Sequence, residues 1–131
     1  MPKRTLLPDE RKSLTHRFMV DGHKVYLTVG LYHDGRPGEL FIRMGKAGST
    51  VDGFADGVAI AVSYAMQHNV PWRPLMRKFV GGQFAPCGVV TGGPTGLDHC
   101  TSVLDYAARW LMLRFPEVEV PFPCASDPVA T

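Results

Sequence analysis

A chain of 131 residues, 45% apolar and 20% charged, has the makeup of one soluble globular domain able to bury a core without disulfides or metals. Its net charge of +2 is too small for the clustered basic face of a nucleic-acid binder, and no run approaches the roughly 18 apolar residues of a membrane span. Three cysteines, at 87, 100 and 124, make no secreted disulfide framework, and no apolar stretch follows the basic N-terminus as a signal peptide requires, so a reducing cytoplasm is the expected compartment.

Residues 1–12 are polar and proline-punctuated and read as a basic arm, with Arg4, Arg11 and Lys12 interrupted by Asp9 and Glu10. From Ser13 to Val20, Leu14, Phe18 and Val20 fall on one side, the alternation of a strand. Asp21-Gly22 is a hairpin signal. Lys24 to Tyr32 follows, with Val25, Leu27, Val29 and Leu31 on one face and Tyr26, Thr28 and Tyr32 on the other. After a turn over 33–38, Glu39 to Met44 is the third strand. Gly45 to Thr50 then opens directly into a helix, with Ser49 as N-cap and Asp52 at capping-box spacing.

Thr50 to His68 carries Val51, Phe54, Val58, Val62, Ala65 and Met66 at spacings of three and four, so this helix is predicted to lay that stripe on the sheet. Gly53 and Gly57 thin it and invite close approach of another backbone. Asn69 suits a left-handed cap and Pro71 stops continuation. A short helix over Pro71–Val80 carries Leu75, Met76 and Phe79. Residues 81–96 are rich in Gly and Pro and read as a long loop without its own structure, functional or mobile. Asp98 is expected to cap a last helix running to Phe115, with Val103, Leu104, Ala107, Trp110, Leu111 and Arg114 on its stripe. Pro116 onward reads as an extended tail. The fold class is therefore α+β: a three-stranded antiparallel meander packed on one face by two longer helices and one short helix. Its open edge and uncovered face point to a homodimer.

Two constellations carry candidate chemistry. Lys46, Gly48, Ser49 and Thr50 offer a phosphate or nucleotide a lysine, freed backbone N–H groups and a helix N-terminus. The order is not that of a Walker A loop, and a plain capped turn with Lys46 in solvent is the favoured reading. Cys87, His99 and Cys100 are zinc-ligand types, but the spacing lacks a Cys-x-x-Cys pair, and a further ligand would have to come from Cys124, His68 or a second subunit. The favoured alternative packs Cys100 on the last helix's stripe and leaves Cys87 in the loop. His99 beside Cys100 makes no catalytic dyad, because neighbours on a helix diverge by about 100°. His16 and His23 bracket the first hairpin and read as surface strand residues.

Several runs together resemble one family: residues 6–18 (LLPDERKSLTHRF), 26–32 (YLTVGLY), 34–42 (DGRPGELFI), 45–50 (GKAGST), Val70-Pro71, Lys78-Phe79, 84–86 (FAP) and 104–111 (LDYAARWL). Their order and spacing are similar to the C-terminal domain of cobalamin-dependent (class II) ribonucleotide reductases, the TSCPD domain, over roughly residues 4–115. The resemblance implies that the nucleotide, the adenosylcobalamin and the radical-bearing cysteine belong to a separate catalytic barrel not contained in this sequence. The tail cysteine pair that the resemblance would require for re-reducing the active site is also absent, Cys124 standing alone, and the motif that names the domain is degraded to HCTSV at 99–103. What the resemblance implies is a free-standing accessory or split-off domain that binds the class II catalytic chain. The rival reading is an independent dimeric binder of nucleotide or phosphate.

Overall fold

The computed structural model describes residues 3–45 and 50–116. In chain order the elements are β1 (Ser13–Val20), β2 (His23–Leu31), β3 (Pro37–Met44), α1 (Thr50–Gln67), α2 (Trp72–Phe79), β4 (Gly88–Thr91), β5 (His99–Cys100) and α3 (Val103–Arg114). The α+β architecture expected from the sequence is present. Asp21 and Gly22, both at positive φ, turn β1 into β2 with Phe18 opposite Val25 and His16 opposite Leu27. β3 returns antiparallel with Ile42 opposite Leu27 and Leu40 opposite Val29. One face of this meander, from Phe18 and Val20 through Val25, Leu27 and Val29 to Leu40, Ile42 and Met44, is buried with apolar residues of α1 and α3 in one core. Each large side chain so buried contributes about 1.5–3 kcal/mol.

Two short strands extend the sheet, giving the order β3-β2-β1-β4-β5. β4 lies inside the 81–96 segment expected to lack structure. Its period-2 signal is only four residues long and is bounded by Gly88 and Gly92, both at positive φ. Gly92 passes so close to β1 that a Cβ there would lie 3.2 Å from the Arg17 carbonyl. Asp98 does not cap the last helix. The chain first pairs His99 with Val89 and Cys100 with Gly88 as β5, and Ser102 is the N-cap, its hydroxyl accepting from the Asp105 N–H at 3.0 Å.

The rotation of α1 about its axis also differs from expectation. Ala55, Ala59, Val62 and Met66 form its core-facing row, whereas Phe54 is mostly exposed. Small residues at 55 and 59 bring the helix axis close to the sheet, and that outweighs burying the larger Phe54. A second row meets the outer edge of β3. The Leu40 N–H donates to Ser63 Oγ at 2.8 Å, and the single Ser63 proton is shared between the carbonyls of Leu40 and Ala59 at 3.0 and 2.8 Å. The Met44 N–H donates to Asp52 Oδ1 at 3.1 Å, and Gln67 Nε2 donates to the Gly38 carbonyl at 3.0 Å. The β3 edge is thus closed by side chains of a helix rather than left open.

Candidate functional site

The N-terminus of α3 gathers the loops around it. Asp105 is buried and accepts from the Gly81 N–H at 2.8 Å, the Thr101 N–H at 3.1 Å and Arg109 at 2.9 Å. Burial alone would raise its carboxyl, but those backbone hydrogen bonds and the guanidinium outweigh it and hold the group below the usual carboxylate range. Arg109 also donates to the His99 carbonyl, so one side-chain pair fixes the 81, 99 and 101 backbones together. At the other end, Arg73 of α2 donates to the carbonyls of Met112 and Phe115.

One turn further, Tyr106 reaches β1. Its hydroxyl and His16 Nε2 share a hydrogen bond of 2.7 Å, and its ring stacks on Phe18 with centroids 3.7 Å apart. The His16 ring lies parallel to Trp110, 5.1 Å away. Burial lowers the His16 pKa below 6.5 and pushes the Tyr106 phenol up to about 12, so both are neutral at pH 7. His16 is therefore not a surface strand residue. It shares parity with Leu14, Phe18 and Val20, and that register was the signal that placed it inward.

The candidate ligand residues come together only in part, the pairing of Gly88 with Cys100 bringing Cys87 near Cys100. Of the anion-binding set, Thr50 opens α1, while Lys46, Gly48 and Ser49 lie outside the described residues. Cys87 is exposed, and Cys100 is buried on β5 rather than on a helix, its thiol pushed up by burial and by Asp105. His99 is exposed on the opposite face of that strand, 3.3 Å from Asp98. Among the described residues, no group of three or more His, Cys, Asp or Glu could hold a metal ion, and no helix is long and apolar enough to cross a membrane. Cys124 lies outside the described residues.

What remains is surface. The helices cover one side of the meander, and the other presents two cross-strand rows: Arg17, Tyr26 and Arg43, then Thr15, Thr28 and Phe41. Tyr26 is 37% and Phe41 44% exposed, and the Thr15 and Thr28 hydroxyls are 3.2 Å apart. Among the described residues no ion pair engages Arg17, Lys24 or Arg43. Tyr32, expected beside Tyr26, is withdrawn from this face. A register shift at Gly30/Leu31 ends the alternation, the Tyr32 hydroxyl donates to the Thr5 carbonyl at 2.6 Å, and the Arg36 guanidinium lies 4.9 Å from its ring centre. The face is aromatic and cationic, the chemistry of a surface complementary to an acidic partner with apolar side chains.

A sequence-family model for the TSCPD domain matches residues 2–115. Three relatives carry the name vitamin B12-dependent ribonucleotide reductase. That of Rhodopirellula baltica is 48% identical over 114 residues, covering 87% of this chain and 11% of the relative. That of Bradyrhizobium diazoefficiens is 42% identical over 115 residues, 88% of this chain and 9% of the relative. That of Streptantibioticus cattleyicolor is 39% identical over 114 residues, 87% of this chain and 19% of the relative. The chain thus spans no more than about a fifth of the length of these relatives. No solved structure matches it.

Proposed function

The chain belongs to the TSCPD domain family, and from that membership we propose that it serves the cobalamin-dependent ribonucleotide reductase system as an accessory domain, binding the catalytic polypeptide rather than performing the chemistry. The observation that carries this reading is the uncovered sheet face, with Tyr26 exposed between Arg17 and Arg43 and Phe41 exposed in the next cross-strand row. Aromatic residues and arginine are the side chains on which interface energy concentrates. Relatives roughly five to ten times the length of this chain supply the logic of a partner, since most of such a protein has no counterpart in this chain. Adenosylcobalamin, the nucleotide substrate and the radical cysteine would reside on the catalytic polypeptide, and the product would be deoxyribonucleotide for DNA synthesis in the cytoplasm.

The test is co-purification of the full chain with a class II catalytic polypeptide, followed by deoxynucleotide formation with and without the chain. Tyr26→Ser together with Phe41→Ser should weaken association at least tenfold, about 1.4 kcal/mol or more, with the fold intact because both side chains face solvent. No association, or association untouched by the double substitution and by Arg17→Glu, would sink the reading.

A further inference from the structure

The solvent side of α1 is unlike that of an ordinary surface helix. At about 100° per residue, Gly53, Phe54, Gly57, Ile60, Ala61 and Tyr64 occupy one continuous sector about 120° wide with no charged residue in it. Phe54 is 73%, Ile60 63% and Tyr64 56% exposed. A Cβ added at Gly53 or Gly57 would meet nothing within 4 Å, so the packing of this chain requires neither glycine. Each nevertheless weakens the helix interior relative to alanine. Close approach of a second backbone does require them.

We propose that this face joins two copies of the chain, with the α1 helices antiparallel and crossing at Gly57. The occupant follows from the spacing of the residues. A two-fold axis past Gly57, at right angles to both helices, reverses height along the helix and keeps each side chain on its own shoulder, so Phe54 lies against Ala61 of the second copy and Ile60 against its Gly53. Each large side chain thus enters the space left by a small one, and the two Gly57 backbones meet at the crossing. Tyr64 falls over the exposed Thr50 of the second copy. A patch that is its own complement in this way is what an isologous interface needs.

Hollows on both sides of the helix extend the contact. One of about 320 Å³ is lined by Val51, Phe54, Val58, Phe84 and Leu104, and one of about 220 Å³ includes Phe41, Ile60 and Tyr64. The three protruding side chains expose on the order of 400 Å² per copy, the size of a functional apolar patch. With their small neighbours and the hollows, two copies approach the ~1,200 Å² at which specific interfaces begin. A concentration-dependent dimer is the expected state.

Sedimentation of the full chain over a range of concentrations tests this. Twice the chain mass is expected, with Ile60→Glu and Phe54→Lys each weakening the dimer at least tenfold while leaving the thermal unfolding midpoint within a degree or two. Gly57→Leu, at a position where an added Cβ meets nothing in its own chain, should weaken the dimer as strongly by holding the two backbones apart. A chain that stays monomeric throughout, or a dimer indifferent to these substitutions, would overturn the proposal. So would loss of binding to the catalytic polypeptide on Ile60→Glu with Tyr26→Ser harmless, since the face would then belong to that partner.

Discussion

Asp105 ties two separate pieces of irregular backbone to the start of α3. Its two oxygens take N–H groups from residues 81 and 101 and a guanidinium from one turn along its own helix. Asp105→Ala would strand those donors in the interior, at an expected cost of about 3 kcal/mol in chemical denaturation. Because the folded carboxyl titrates below its ordinary value, its contribution is complete above about pH 4 and is lost as acid protonates it. The melting-temperature gap between the parent and Asp105→Asn should therefore narrow towards pH 2. The His16–Tyr106 pair works with the opposite sign at the alkaline end. A phenol raised from 10.0 to about 12 stabilises the fold fully below pH 10 and progressively less up to about pH 12. Tyr106→Phe should cost about 1 kcal/mol at pH 7 and abolish that alkaline loss, read from unfolding midpoints across the range. Lowering of the His16 pKa costs stability below pH 6.5, where the unfolded chain takes up the proton more readily.

At the scale of elements, α1 carries three messages on one helix. Alanines at 55 and 59 face the core, Asp52, Ser63 and Gln67 close the β3 edge, and the remaining third is apolar and exposed. Ser63→Ala leaves the Leu40 amide and carbonyl without that partner, and a loss of about 1–2 kcal/mol is expected, with faster amide exchange at Leu40 as the local readout. This division explains what the sequence concealed. Spacings of three and four fit both the row through Phe54 and the row through Ala55, and hydrophobic bulk favours the wrong one. Ser63 and Gln67 read as ordinary surface polars because nothing in one chain's pattern says that a strand edge lies beneath them. β4 and β5 are too short for periodicity, and their pairing depends on glycines that look like loop punctuation. The glycine pair at 53 and 57, by contrast, was legible from spacing alone.

For the molecule as a whole, the three-stranded meander, its hairpin and its helices could be read along the chain because each rests on contacts close in sequence. The candidate sites fared differently. Cys87, His99 and Cys100 are candidates by ligand type despite poor spacing; the Gly88–Cys100 pairing sets Cys87 near Cys100, while β5 turns His99 to the opposite face. Tyr32 left the outer face through a one-residue register shift that no alternation count reveals. The uncovered side of the sheet and the solvent side of α1 meet at the hollow that Phe41 shares with Ile60 and Tyr64, so a larger polypeptide and a second copy would press on adjoining surfaces. The closed β3 edge has one more consequence. An exposed, fully extended strand is a seed for cross-β fibrils, yet here its outward amides and carbonyls at 38, 40 and 44 are already engaged by Gln67, Ser63 and Asp52. Crowding or high expression is therefore expected not to turn this edge into a template for fibrils.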